Sequence, residues 1–394
     1  LRVEEDLLLD KVKASGEVRL LGADIGGNLQ CTGAIFENAN GDALSADNLN
    51  VSEYLFLDEF RAYGEVRLMW ADVGNLVCTG ATFENANGDA FFADGLKVEG
   101  DLLLDKVKAS GEVRLLGADI GGNLECTGAT FENEKGDAFC IGDTTIGDAL
   151  FLKKLRQLNG TVYLKYAQVG QLLDDESSWP QAGMLLLDGF EYKTFAGDDT
   201  PLTAKKRLQW LRLQPEKPFH PQPYEQLAKV FRQMGHESDA REVLFAKQED
   251  LRKHGVLSRK AKAWNWFLGK TIGHGYRPLR ALFIILFFFI LGSGLFCYAD
   301  KLGVMQPSKE RVYMSQEFVG HKKLPCEYPR FQPVIYSVDV FVPFVDLHQE
   351  NYWLPDANKP NGKWFRVYFW VHIVTGWIFS TLVAASLTGL IRKE

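Results

Sequence analysis

The first 200 residues of this 394-residue chain contain no histidine, and no Cys-x-x-Cys occurs anywhere along it. Six cysteines are present, but without neighbouring His or Cys at ligand spacing they do not read as a zinc site or a thiol redox pair. The Walker loop, His-Glu-x-x-His and Gly-x-Ser-x-Gly are absent too, and with them the common signatures of nucleotide, metalloprotease and serine-hydrolase chemistry. Gly22-Ala23-Asp24-Ile25-Gly26-Gly27 is glycine-rich, yet no helical pattern follows it, so it reads as a corner and not as a dinucleotide loop. His220, His236, His254 and His274 are scattered over a stretch that looks solvated. The expectation is a non-enzymatic protein with no cofactor and no metal. No initiator methionine or signal peptide opens the chain, which starts in mid-repeat, so a longer native N-terminus is expected.

What is present is a repeat. Asn28-Leu29-Gln30-Cys31-Thr32-Gly33-Ala34 returns at Asn75–Ala81 and again at Asn123–Ala129, and each copy runs on to Phe36, Phe83 or Phe131 and then to Gly-Asp-Ala. Within each copy apolar residues come in pairs two apart, such as Val18/Leu20, Ala23/Ile25, Leu29/Cys31 and Ala34/Phe36, which is strand periodicity. Gly and Asn at the corners suit sharp bends. Turns of about 22 and about 26 residues then account for the spacing, and the predicted fold over 1–197 is an all-β right-handed parallel β-helix, a pentapeptide-like solenoid. Some eight coils at ~4.8 Å each would make a rod about 40 Å long. Cys31, Cys78 and Cys126 are expected to stack as buried small apolar side chains. Met184–Phe190 is expected to be the last strand and to close the open end, where an exposed coil would invite aggregation.

Charge divides the chain as sharply. Residues 1–200 hold 35 Asp/Glu against 16 Lys/Arg, whereas residues 201–280 hold 17 Lys/Arg against 7 Asp/Glu. An acidic rod repels phosphates over most of its surface, which excludes nucleic acid as a partner. Residues 198–256 switch to helical period, and Tyr224–Met234 with Ser238–His254 read as a tetratricopeptide-like hairpin joining rod and membrane. Residues 257–278 combine Arg259, Lys260 and Lys262 with Trp264, Trp266 and Phe267, a basic, indole-rich interfacial helix, followed by Arg277 and Arg280. Apolar runs at 279–298 and 367–391 are long enough to span a bilayer, the second closed by Arg392-Lys393. The cationic flank places the N-terminal side of the first span in the cytoplasm, and two spans return the C-terminus there. Cys297, at the end of the first span, and Cys326, in the intervening loop 299–366, could pair only if that loop faces an oxidising compartment.

That loop carries the sharpest signal. Residues 331–343 form a short apolar stretch with Pro333 near its start and Pro343 at its end, too short to cross and suited to a re-entrant helix. It holds Tyr336, Ser337 and Asp339, and Asp346, His348 and Glu350 follow at once. Span, short helix, acidic loop, span is the layout of two-span cation channels, whose carbonyls or acidic rings face the permeating ion. Tyr336, Ser337, Asp339, Asp346 and Glu350 are therefore the ion-path candidates. A Thr-Val-Gly-Tyr-Gly filter is absent, which argues against potassium selectivity. The competing reading is a solvated loop with aromatics resting on headgroups. Asp339 resists that reading, because a carboxylate in an apolar segment needs water or a partner.

Taken as a set, the Ala-Asp-Ile-Gly-Gly-Asn-Leu-x-Cys-Thr-Gly-Ala coils, the Pro223-Tyr224-Glu225-Gln226-Leu227-Ala228 hairpin, Gly273-His274-Gly275-Tyr276-Arg277-Pro278 before the first span, the Tyr336–Leu347 loop and Gly376-Trp377 in the second span resemble a family of bacterial solenoid-repeat membrane proteins. Members are often labelled "membrane-associated oxidoreductase". The tail is also similar, more remotely, to pentapeptide-repeat proteins with a two-span ion-channel module. The resemblance implies a bacterial membrane protein, and with the cationic flank the expected location is the inner membrane with both termini cytoplasmic. The function expected is an oligomeric, channel-like protein, a tetramer being compatible with two spans per chain, whose solenoid docks or senses a cytoplasmic protein. The alternatives are a non-conducting membrane-anchored scaffold, a membrane-disrupting effector and, least supported by any motif, an oxidoreductase.

Overall fold

Leu7, Leu29, Leu55, Leu76, Leu102, Leu124, Leu150 and Leu172 are successive register partners in parallel pairing, one leucine per coil. This is the axis of a parallel β-solenoid over residues 2–195, as the paired apolar pattern predicts. The computed structural model describes residues 1–277, 279–321 and 323–388. Pro278, the last turn expected of the second span and Arg392-Lys393 lie outside the described residues. Two units make up the chain, Leu1–Val256 and Leu257–Glu394.

A second ladder explains why the repeat takes two coils. Ala14, Phe36, Ala62, Phe83, Ala109 and Phe131 pair in sequence, so small and large side chains alternate along the interior. Stacked phenylalanines alone would overfill each layer, and stacked alanines would leave voids. After each Phe the strand bulges. Between Glu37 and Asp42 the strand Ile35–Ser45 holds three residues more than its partner does between Tyr63 and Glu65. Asn38, Asn85 and Asn133 each tie their bulge by donating from Nδ2 to the carbonyl of Asp42, Asp89 and Asp137, at 2.8–2.9 Å. The next coil passes beneath with Gly64, Gly111 or Gly160 at φ of +123° to +132°, where a Cβ would run into the carbonyl of that asparagine. Cys31, Cys78 and Cys126 are fully buried, but they occupy alternate coils. Cys31 donates to Phe56 O, Leu57 to Val77 O and Cys78 to Leu103 O, so leucine separates one cysteine from the next.

Met184–Phe190 is not the end of the coil. Leu185–Leu186 pairs with Val162–Tyr163, and a further strand, Glu191–Phe195, follows it. Closure comes from three helices, α1 (Ala204–Leu211), α2 (Gln222–Gln233) and α3 (Glu237–His254). Gln226 Nε2 donates to Tyr192 O at 2.6 Å, while Gln222 Nε2 donates to Phe190 O and its Oε1 accepts from Gly189 N. The exposed sheet edge is thereby covered. Arg207 is wholly buried and makes two bonds to the Asp174 carboxylate at 2.7 and 2.6 Å, with its guanidinium 3.8 Å from the centre of the Phe195 ring. A charge so deeply desolvated persists only with this bidentate partner and the Pro201 carbonyl that its Nε meets.

In the second unit α4 (Arg259–Thr271) leads through a tight Gly273–Gly275 turn to α5 (Leu279–Lys301). Beyond it lie the short helices α6 (Glu310–Met314), α7 (Gln316–His321) and α8 (Pro333–Phe341), and then α9 (Gly362–Leu387). Met305–Pro307 and Trp353–Pro355 form a small antiparallel pair between them. Helices α5 and α9 are long and apolar enough to cross a membrane.

Candidate functional site

The apolar helix α8 packs against both α5 and α9, and glycines let it approach. Gly376 on α9 has no room for a Cβ because the carbonyl of Phe341 occupies that space. Gly292 on α5 leaves space for the Ser337 hydroxyl and the His372 ring. At 1.5 Å per residue, Gly376 stands about 20 Å from the first residue of α9, so the C-terminal end of α8 sits near the middle of both long helices. There the chain turns and runs back as a non-helical leg, residues 342–352, to the short strand at Trp353.

Three hydrogen bonds hold this fold-back together. The Asp339 carboxylate accepts from Leu347 N at 2.6 Å and from Gln349 N and Glu350 N at 2.8 Å each. His348 takes a left-handed φ of +60°, which turns the neighbouring amides inward to make a small anion nest. Asp339 is 5 % exposed, and its partner is the returning backbone. Asp346 and Glu350, by contrast, face outward, together with Phe344, Leu347 and His348. Asp346 accepts from His348 N and meets the His348 ring, both at 2.9 Å. The Glu350 carboxyl is pushed up, first by its partial burial and then by the charges of Asp339 and Asp346. Of the three acidic ion-path candidates, then, two are presented to the surroundings and one is spent inside.

Tyr336 and Ser337 belong to the same interior. Tyr336 donates to Trp353 O at 3.1 Å and meets Phe296 edge-on at 4.8 Å. Ser337 Oγ lies 3.3 Å from Phe289 O and 3.2 Å from His372 Nε2. His372 is a buried polar residue of this interior that the sequence reading passed over. It is fully buried, its Nε2 also 3.2 Å from Ser337 O and its Nδ1 3.2 Å from the Tyr368 hydroxyl one turn earlier. A neutral ring protonated at Nε2 gives every donor an acceptor: Tyr368 to His372, His372 to Ser337 O, and Ser337 to Phe289 O. The available signal was a lone histidine inside an apolar run, spaced four residues from a tyrosine.

The membrane-interface candidates lie at the other end of the long helices. Trp264 and Trp266 are 59 % and 53 % exposed, while Phe267 turns inward toward the cluster of Ile272, Ala281, Phe379 and Leu382. Arg280 donates to Gly269 O at 3.4 Å, and Arg277, itself exposed, follows the buried tight turn. Cys297 and Cys326 are both free thiols. No protein-family model, curated protein or solved structure matches the chain.

Proposed function

We propose that this protein is an oligomeric, channel-like membrane protein, with α5 and α9 crossing the bilayer and residues 342–352 of several copies lining a shared aqueous path. The observation that carries the proposal is the non-helical return leg at mid-length of two apolar helices. In hydrocarbon, backbone outside a helix or closed sheet is tolerated only where protein or water surrounds it. A single chain covers this leg on one side, so water or a second copy must cover the other. The long helices support a lipid setting, because only 17 % of the apolar window of α5 and 22 % of that of α9 is buried, far less than a soluble core helix requires. Leu282, Phe283, Leu286, Phe287 and Ile290 make an exposed stripe on α5 that would be untenable in water.

In this reading Asp339 is the clasp of the hairpin, and Asp346 and Glu350 are the carboxylates that concentrate cations along the path. The basic, tryptophan-bearing α4 rests at the cytoplasmic interface, and the acidic solenoid offers its surface to a cytoplasmic protein. The resemblance to bacterial solenoid-repeat membrane proteins fits an inner-membrane location. The test is the full chain reconstituted in liposomes, with cation flux and oligomer size read together. Flux from an oligomer supports the channel reading. A monomer in lipid that passes no cation would leave a membrane-anchored scaffold instead.

A further inference from the structure

Inside Leu1–Val256, where the last coils of the solenoid meet the helices that cap them, lies a cavity of about 400 Å³. That volume falls in the range of small-molecule sites. Leu186 lies against its floor with buried Leu187 and Leu211 behind it, and the rings of Phe219 and Tyr224 stand 5.6 Å apart at one side. Pro215 and Pro218 fix the course of the loop that forms its rim. A hydrophobic wall beneath a polar rim is the form of a site that holds a ligand body and orients one polar group.

The sign of that polar group follows from the charges. Three carboxylates line the cavity, and each already faces a basic side chain. Buried Asp250 accepts from Arg212 Nε at 3.0 Å and from the Tyr224 hydroxyl at 3.1 Å, with Lys253 Nζ 3.6 Å away. Asp188 meets His220 at 3.2 Å, and Glu216 meets His254 at 3.5 Å. Lys165, whose Nζ stands 5.5 Å from the centre of the Tyr163 ring, and Lys217 remain, and among the described residues neither has a carboxylate within 4.0 Å. Even with both histidines neutral, four cationic side chains surround three anions.

We propose that this cavity binds a small organic anion, an aromatic or apolar body carrying a phosphate or carboxylate that Lys165 and Lys217 receive. The site is independent of the channel reading, since every residue that lines it lies in the solenoid and its cap. The experiment is calorimetric titration of the detergent-solubilised full chain with phenyl phosphate, benzoate, phenol, benzylamine and inorganic phosphate. Phenyl phosphate or benzoate should bind saturably and more tightly than inorganic phosphate, while phenol and benzylamine should not. Lys165→Met/Lys217→Met should weaken the anion by about tenfold or more, a loss of one screened charge contact or better, and Lys165→Arg/Lys217→Arg should retain it. Circular dichroism of both variants checks that the solenoid is intact. No saturable binding of either aromatic anion, equal binding of benzylamine, equal binding of inorganic phosphate, or a methionine variant that binds like the parent would each overturn the proposal.

Discussion

In the solenoid, Phe83 sits among neighbours that are repeated around Phe36 and Phe131, and its coil exchanges backbone hydrogen bonds with the coils on either side. In the helical unit Asp339, Ser337 and His372 occur once each, and a single fold-back depends on them. Backbone pairing that repeats leaves little for any one side chain to decide. A non-helical leg between two apolar helices has no such ladder, so three amides rely on one carboxylate. The chain is tolerant where contacts repeat and brittle where they do not: loss of one solenoid contact is local, whereas loss of one clasp undoes the hairpin.

The sharpest way to break that contrast is the buried Arg207–Asp174 ion pair at the solenoid's cap. Arg207→Ala leaves Asp174 buried without its cation and should cost about 3–5 kcal/mol. Thermal unfolding of the solenoid followed by circular dichroism would register it, and an unchanged melting temperature would mean the cap is dispensable. Next comes the clasp. Asp339→Asn keeps the size but presents an NH2 to amide donors, and should cost about 2–3 kcal/mol of hairpin stability. Hydrogen exchange at Leu347, Gln349 and Glu350 should rise in that variant and stay at the parent level in Asp346→Asn.

A smaller effect concerns the coils. Glu112 is pushed up to about 7, chiefly by burial and then by Asp89 and Asp137 beside it. Its folded value thus exceeds the ordinary glutamate value of about 4.3. The folded state holds the proton more firmly, so this contribution is complete below about pH 4 and is lost as pH rises through 7. Parent solenoid should therefore lose a little stability between about pH 5 and 7 that Glu112→Gln does not lose. Identical pH profiles for the two would show that the carboxylates are fully solvated.

Much of the solenoid was legible because its signal is periodic: Leu29, Leu55 and Leu76 announce register partners by spacing alone. The bulge was not, since Asn40-Gly41 reads equally well as a corner, and only the pairing of Glu37 and Asp42 with Tyr63 and Glu65 reveals it. Nor was the cap, because Arg207 and Asp174 are distant in sequence and a charged pair leaves no periodic trace. In the helical unit, the cost of an isolated Asp339 correctly demanded a partner, but backbone amides carry no sequence signature. His372 was hidden by the hydropathy of the run around it.

Thiol accessibility during conduction decides whether residues 342–352 line an aqueous path shared between copies. In a Cys297→Ser/Cys326→Ser background the four remaining cysteines are buried in the solenoid, so Glu350→Cys offers a single reactive thiol. Recorded in a planar bilayer, this protein should carry a cation current that a membrane-impermeant, positively charged thiol reagent reduces, while Val371→Cys on the exposed face of α9 should be indifferent to it. A current that persists unchanged after Glu350→Cys is fully modified, or no current from the assembled parent, would contradict the account.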